Sequence, residues 1–242
     1  MTLNKHAAVS PKDDLHLVWD VPVRLFHSLL VLSVVGAFVT NKLGVSYFKY
    51  HVWCGYAVIV LVSFRIVWGV VGTHHAKFWN FIRGPVTTLR YMAQLARGQE
   101  QCYAGHNPLG AVMVVALLLA LAVQAVSGLF GNDEIFNVGP LYGYVDKDFS
   151  LQLTSLHRKL FLGIGAAVGL HVLAVLAHLV FKREKLLHAM ITGRKPRHHF
   201  GDAEPIHSSR TWLAGAVVVA LSLVLAWVIG HAPQAVVDIT LL

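Results

Sequence analysis

Cysteine is scarce in this 242-residue chain: only Cys54 and Cys102 are present. Neither sits in a C-x-x-C-H run, which excludes covalent haem of the c type. Two thiols are also too few to ligate an iron–sulfur cluster in the usual way. One lies in an apolar stretch and the other in a polar connection, so no disulfide is expected between them. Charge is scarce too. Only 13% of residues are charged and the mean hydropathy is +0.60, which excludes an ordinary soluble domain. Five apolar stretches are long enough to span a bilayer: Val23–Thr40, Tyr50–Val71, Leu109–Phe130, Leu160–Phe181 and Trp212–Ile229. None contains Asp or Glu, which argues against a histidine-rich metal-ion transporter. The first 20 residues lack an apolar h-region, so no cleavable signal peptide is expected and the first span inserts uncleaved.

The charge that is present is unevenly placed. Lys5, Lys12 and Arg24 precede or open the first span. Lys77, Arg83, Arg90 and Arg97 lie between the second and third, and Lys182, Arg183, Lys185, Arg194, Lys195, Arg197 and Arg210 between the fourth and fifth. These alternate connections share one side, and the positive-inside rule makes that side the cytoplasm. The amino terminus is then inside and the carboxyl terminus outside. The net charge of +8 thus reports orientation in the membrane, and nucleic acid is not an expected partner. Arg83, Arg90 and Arg97 recur every seven residues. This spacing fits either a short amphipathic helix on anionic lipid or a solvated basic loop. On the other side, Gly131–Ser155 reads as the one substantial external loop.

Histidine is abundant, with fifteen residues. Fourteen positions separate His157 from His171, which returns a helix to within about 40° of its starting direction and advances it about 21 Å. The pair therefore lies on one face and covers most of the roughly 30 Å of hydrocarbon. The second span repeats the spacing with His51 and Arg65. Buried ionisable groups in a bilayer are functional by default. His51 and His157 share one depth at the outer ends of their spans. His27, one turn inside the cytoplasmic end of the first span, can reach the level of His171. Four imidazoles then form two layers, the geometry of two bis-histidine irons that carry electrons. His178, seven residues after His171, competes for the inner layer on depth, whereas His171 is deeper. His106 opens the third span beside Pro108, either as an ordinary helix start or as a quinone or proton contact.

Arginine fits the same picture. Arg65 is well inside the second span, and haem propionates are suitable partners for it. Arg24 sits one turn before His27, and Arg158 with Lys159 follows His157. Interfacial snorkelling is the alternative for these three. Gly55, Gly69, Gly163, Gly165 and Gly169 leave room for a flat macrocycle or for ordinary close helix packing.

The runs VWDVPVRLFH, HVWCGYAVIVLVSFRIVWG, GHNPLG, HRKLFLGIGAAVGLHVLAVLAH and KREKLLHAMITGRK resemble the bacterial cytochrome b561 family. That family includes the b-type cytochrome subunit of membrane-bound nickel–iron hydrogenases. The resemblance covers roughly residues 17 to 197. It implies an all-α, four-helix di-haem transmembrane bundle that passes electrons between a quinone pool and a redox partner such as a cytochrome c or a hydrogenase. Carried over by motif, it implies two haem b with His27, His51, His157 and His171 as axial ligands. It also favours His171 over His178. The expected organisation is a cytoplasmic segment 1–22, a di-haem domain 23–197, and a linker with an additional fifth transmembrane helix, 198–242. Beside the metal-ion transporter, the other alternative is a structural anchor subunit whose histidines pair only with backbone.

Overall fold

The computed structural model describes residues 15–99, 103–197 and 206–233. Cys102, the His198–His199 pair and most of the amino-terminal segment lie outside them. The described elements run β1 (Leu15–Leu17), α1 (Val21–Lys42), α2 (Phe48–Val71), α3 (Phe78–Phe81), α4 (Pro85–Ala96), α5 (Pro108–Leu129), α6 (Lys147–Phe181), α7 (Leu186–Thr192), β2 (Arg194–Pro196) and α8 (Thr211–Gly230). Helices α1, α2, α5, α6 and α8 are long and apolar enough to cross a membrane.

Their starts follow from local chemistry. The Asp20 carboxylate accepts from Val23 N at 2.7 Å, Asn107 Oδ1 from Gly110 N at 2.7 Å, and Asp146 Oδ1 from Phe149 N at 2.8 Å. These side chains cap α1, α5 and α6. Pro22 and Pro108 occupy first-turn positions, where a missing N–H costs nothing.

Helix α2 is the hub. It packs against α1, α5 and α8, while α5 packs against α6. Val58, Leu61, Val62, Phe64 and Trp68 of α2 form much of the buried core. The remaining helices present broad apolar surfaces outward, such as Leu32, Leu162 and Leu173, as lipid-facing helices do.

Strands β1 and β2 pair antiparallel, with Leu15 opposite Pro196 and Leu17 opposite Arg194. This clasp brings the entry of α1 to the segment that follows α6. Val18 N and Trp19 N both donate to Gly193 O, at 2.8 and 3.0 Å. Gly193 ends α7 at φ +81°, and a Cβ there would lie 2.6 Å from Trp19 O, so glycine is required on both counts.

One boundary differs from the sequence expectation. Helix α6 begins at Lys147, not near Leu160, and its 35 residues extend about 52 Å. The external loop is therefore shorter, ending at Asp146, and His157, Arg158 and Lys159 lie within the helix rather than at its end. The physical reason is the Asp146 cap followed by a run from Lys147 to Leu162 without Gly or Pro. Its charges lower the hydropathy without interrupting the helix. Asp133 ties the remaining loop by accepting from the N–H groups of Ile135, Phe136 and Asn137 and from Asn137 Nδ2. Burial opposes ionisation there, and these hydrogen bonds outweigh it, holding the carboxyl down to about 2.

Candidate functional site

Two histidine pairs bridge helices that are distant in sequence. His51 of α2 and His157 of α6 have ring centroids 6.1 Å apart, with planes at 77°. His27 of α1 and His171 of α6 have centroids 6.5 Å apart, with planes at 52°. Two imidazoles bound to one metal at about 2.0 Å each have ring centres roughly 6.2 Å apart. Both pairs leave that space.

The outer pair is aimed by its surroundings. His51 Nδ1 lies 2.8 Å from Ala37 O of α1, and His157 Nδ1 lies 2.8 Å from Gln124 O of α5. A carbonyl only accepts, so each Nδ1 carries the proton and each Nε2 keeps its lone pair for a metal. A Cβ at Gly128 would lie 2.9 Å from the His157 ring, so glycine at this position lets α5 and the imidazole meet. A cavity of about 340 Å³ is lined here by His51, Gly55, Tyr56, Gly128, His157 and Arg158, and it reaches Asn132 and Asp133 of the external loop. Added Cβ atoms at Gly55, Gly163, Gly165 and Gly169 would meet nothing within 4 Å. That open space beside α2 and α6 suits a flat macrocycle. Donor type, spacing and room together fit bis-histidine haem.

The inner pair has different neighbours. Arg65 of α2 is 3% exposed, and its Nη1 has no hydrogen-bond partner among the described residues. Its guanidinium carbon lies 4.9 Å from the Phe78 ring centroid and 5.8 Å from that of Phe81. Arg24 reaches Thr192 O with Nη1 at 3.3 Å, while its Nε is buried without a partner. His106 lies between Trp19 and Phe81, 4.8 and 4.7 Å from their ring centroids. Burial of its ring, then the nearby Arg65 and Lys195 charges, push its pKa down to about 3, so it is neutral at physiological pH.

Sequence reasoning missed Asp20. It is 1% exposed. Besides capping α1, it accepts from Trp68 Nε1 at 3.0 Å and Thr73 Oγ1 at 2.5 Å. This carboxylate joins the entry of α1 to the end of α2 and is an electrostatic neighbour of Arg65. An Asp immediately before a Val-Pro helix start was the available signal. Of the other candidates, Arg158 lines the outer cavity and is exposed. His178 Nδ1 bonds Ala174 O of its own helix at 2.9 Å, and its Nε2 is 3.5 Å from Lys182 Nζ.

A family model described as prokaryotic cytochrome b561 matches residues 18–193. The chain belongs to the prokaryotic cytochrome b561 family. Membership makes this helical membrane protein a b-type cytochrome of electron transport. Curated relatives agree at low identity. A probable Ni/Fe-hydrogenase B-type cytochrome subunit of Bradyrhizobium diazoefficiens is 26% identical over 74% of this chain and 85% of its own length. The probable Ni/Fe-hydrogenase 1 B-type cytochrome subunit of Escherichia coli K12 is 25% identical over 77% of this chain and 92% of its own. One from Rhizobium leguminosarum bv. viciae is 25% identical over 74% and 87%. The family match ends before α8, so the fifth span lies outside it.

Proposed function

We propose that this b561-family member holds two haem b, one between His51 and His157 and one between His27 and His171, and carries electrons across the bacterial cytoplasmic membrane. The observation that carries the reading is the pair of ring separations, 6.1 and 6.5 Å, stacked along α6 about 21 Å apart. Haem iron with two axial imidazoles supplies one-electron transfer without an open ligand position.

The chain's own residues do the rest. Ala37 O and Gln124 O orient the outer ligands. The buried Arg65, with Arg24, supplies positive charge for propionates at the inner pair. Arg158 offers a weaker, solvent-screened charge at the outer cavity. His171 is preferred to His178 because its ring faces His27, whereas His178 bonds within its own helix. The basic connections favour an inner pair toward the cytoplasm, with the amino terminus inside and the carboxyl terminus outside. By segment, residues 23–197 are the di-haem domain, flanked by the cytoplasmic segment 1–22 and by the linker and fifth span, 198–242.

The relatives are hydrogenase cytochrome subunits by name, which favours a hydrogenase over a cytochrome c as the external partner. The quinone pool is the other partner. Helix α4 lies on the anionic leaflet. Val86, Leu89 and Met92 are exposed opposite the buried Tyr91, and Arg83, Arg90 and Arg97 flank that apolar row.

Proteoliposomes with ferricyanide sealed inside and a membrane-impermeant reductant outside test transmembrane transfer. Wild type should reduce the enclosed acceptor, and His51→Ala should lose that flux at least tenfold. Equal rates with empty vesicles would refute the proposal.

A further inference from the structure

Four buried side-chain polar atoms lack a hydrogen-bond partner among the described residues: Arg24 Nε, Arg65 Nη1, His106 Nδ1 and Gln124 Oε1. Three of them lie on the side of the molecule that holds the inner histidine pair: His106 is an electrostatic neighbour of Arg65, His27 and His171. Arg24 is one turn before His27. Arg65 and His106 share Phe81 as a wall, at 5.8 and 4.7 Å from its ring centroid. Trp19 closes the other side of His106 at 4.8 Å, and its neighbour Asp20 is bonded to Trp68 and Thr73. The three atoms come from α1, α2 and the turn into α5, three separate stretches of chain.

A buried donor left without an acceptor costs about 1–3 kcal/mol. Arg24 Nε and Arg65 Nη1 can only donate, and His106 Nδ1 donates in one of its two neutral tautomers, so together they point to an acceptor the protein itself does not supply. The nearby carboxylates are already engaged. Asp20 accepts from Val23 N, Trp68 Nε1 and Thr73 Oγ1, and Glu184 pairs with Lys195 at 3.2 Å. Two guanidiniums face at most one of these anions, Asp20, so the residual field is positive and the missing acceptor is an anion. A carboxylate matches, since it can take a fork from arginine and a further N–H from imidazole.

We propose that His106 is the third member, with Arg65 and Arg24, of a pocket that binds a propionate carboxylate of the inner haem, donating its Nδ1–H to it. This rests on the two-layer reading above. His106 is well suited to the role. Trp19 and Phe81 fix its ring from two sides, and the next residue, Asn107, caps α5 and anchors the backbone. It acts as a positioning residue, holding the propionate and through it the haem. A donated hydrogen bond stabilises the carboxylate most when the haem is reduced and more negative, so losing it lowers the inner midpoint potential.

The test uses the full chain with both haems. Redox titration is run on wild type, His106→Leu, His106→Phe and His106→Gln, then repeated on apoprotein reloaded with haem b dimethyl ester. His106→Phe fills the slot between Trp19 and Phe81 without a donor, which separates packing from hydrogen bonding. His106→Gln keeps an N–H. In Leu and Phe the inner potential should fall, the outer potential should stay, and inner haem should dissociate roughly tenfold faster. Gln should recover most of both. With the esterified haem, the gap between wild type and His106→Phe should shrink to a small part of its size, because the ester carbonyl is an uncharged, weaker acceptor. An unchanged inner potential in both apolar variants, or an equal His106 effect with the ester, would overturn the proposal. If wild type carries one haem, or His171→Ala keeps two, the two-layer reading has failed and the proposal fails with it. If wild type carries two haems and only the His106 variants behave unexpectedly, the pocket assignment alone is wrong.

Discussion

At the outer pair, both imidazoles are held through Nδ1 by a backbone carbonyl of a neighbouring helix, Ala37 for His51 and Gln124 for His157. At the inner pair, no hydrogen bond from the described residues reaches either ring. His106 is an electrostatic neighbour of both rings and of Arg65, and Arg24, Arg65 and His106 each keep a buried nitrogen without a partner among the described residues. The outer pair is therefore oriented by the protein's own hydrogen bonds, whereas in the proposal above the inner pair relies on its haem to complete the set of partners. The electronic consequences oppose each other. A carbonyl on Nδ1–H makes an imidazole more basic and favours oxidised iron. A buried cation near the macrocycle favours reduced iron. The inner haem should have the higher midpoint potential, and electrons should fall from the outer layer to the inner one.

The largest expected effect is loss of a whole cofactor. His51→Ala or His157→Ala should remove the outer haem and leave the inner spectrum intact, as read by low-temperature reduced spectra. Loss of both haems in a folded variant would mean that the two sites do not stand alone. Next comes Asp20→Ala. It strips the acceptor from Val23 N, Trp68 Nε1 and Thr73 Oγ1 in a site 1% exposed. The expected destabilisation is about 2–4 kcal/mol, seen as a lower Tm, with inner haem released before outer. Simultaneous release would remove the distinction drawn here.

A smaller effect is expected from Arg65→Leu. Both haems should stay bound, and the inner potential should fall on the order of 50–100 mV with the outer one unmoved. No shift in either wave would place the guanidinium away from the propionates. The smallest is His178→Ala. Its Nδ1 bonds Ala174 O of its own helix, so both haems should remain and any shift should stay within about 20 mV, under half of the roughly 59 mV that marks a tenfold effect for one electron. Loss of a haem in this variant would exchange the roles of His171 and His178.

Much of this architecture was legible in the sequence because lipid enforces simple rules. Each apolar run became a helix, and the fourteen-residue spacing of His157 and His171 did put both on one face of α6, each opposite another histidine. Hydropathy misplaced the start of α6 because Lys147, Asp148, Arg158 and Lys159 look like a loop to an average, while the Asp146 cap and the absence of Gly and Pro keep the helix going. Asp20 stayed hidden for a different reason. A lone acid beside a membrane helix reads as a surface cap, and its burial depends on Trp68 and Thr73, about fifty residues away. The carbonyl anchors were invisible for the same cause. Ala37 and Gln124 contribute backbone oxygens, so nothing about their side chains announces them. The clasp of β1 on β2 joins three-residue segments, too short for any periodicity to register.

Two stacked bis-histidine sites are tested most directly by counting haem. A pyridine haemochrome assay on purified wild-type chain, set against protein concentration from amino-acid analysis, should give a ratio near two, all of it extractable by acid–acetone. A ratio near one, or haem that stays with the protein after extraction, would contradict it.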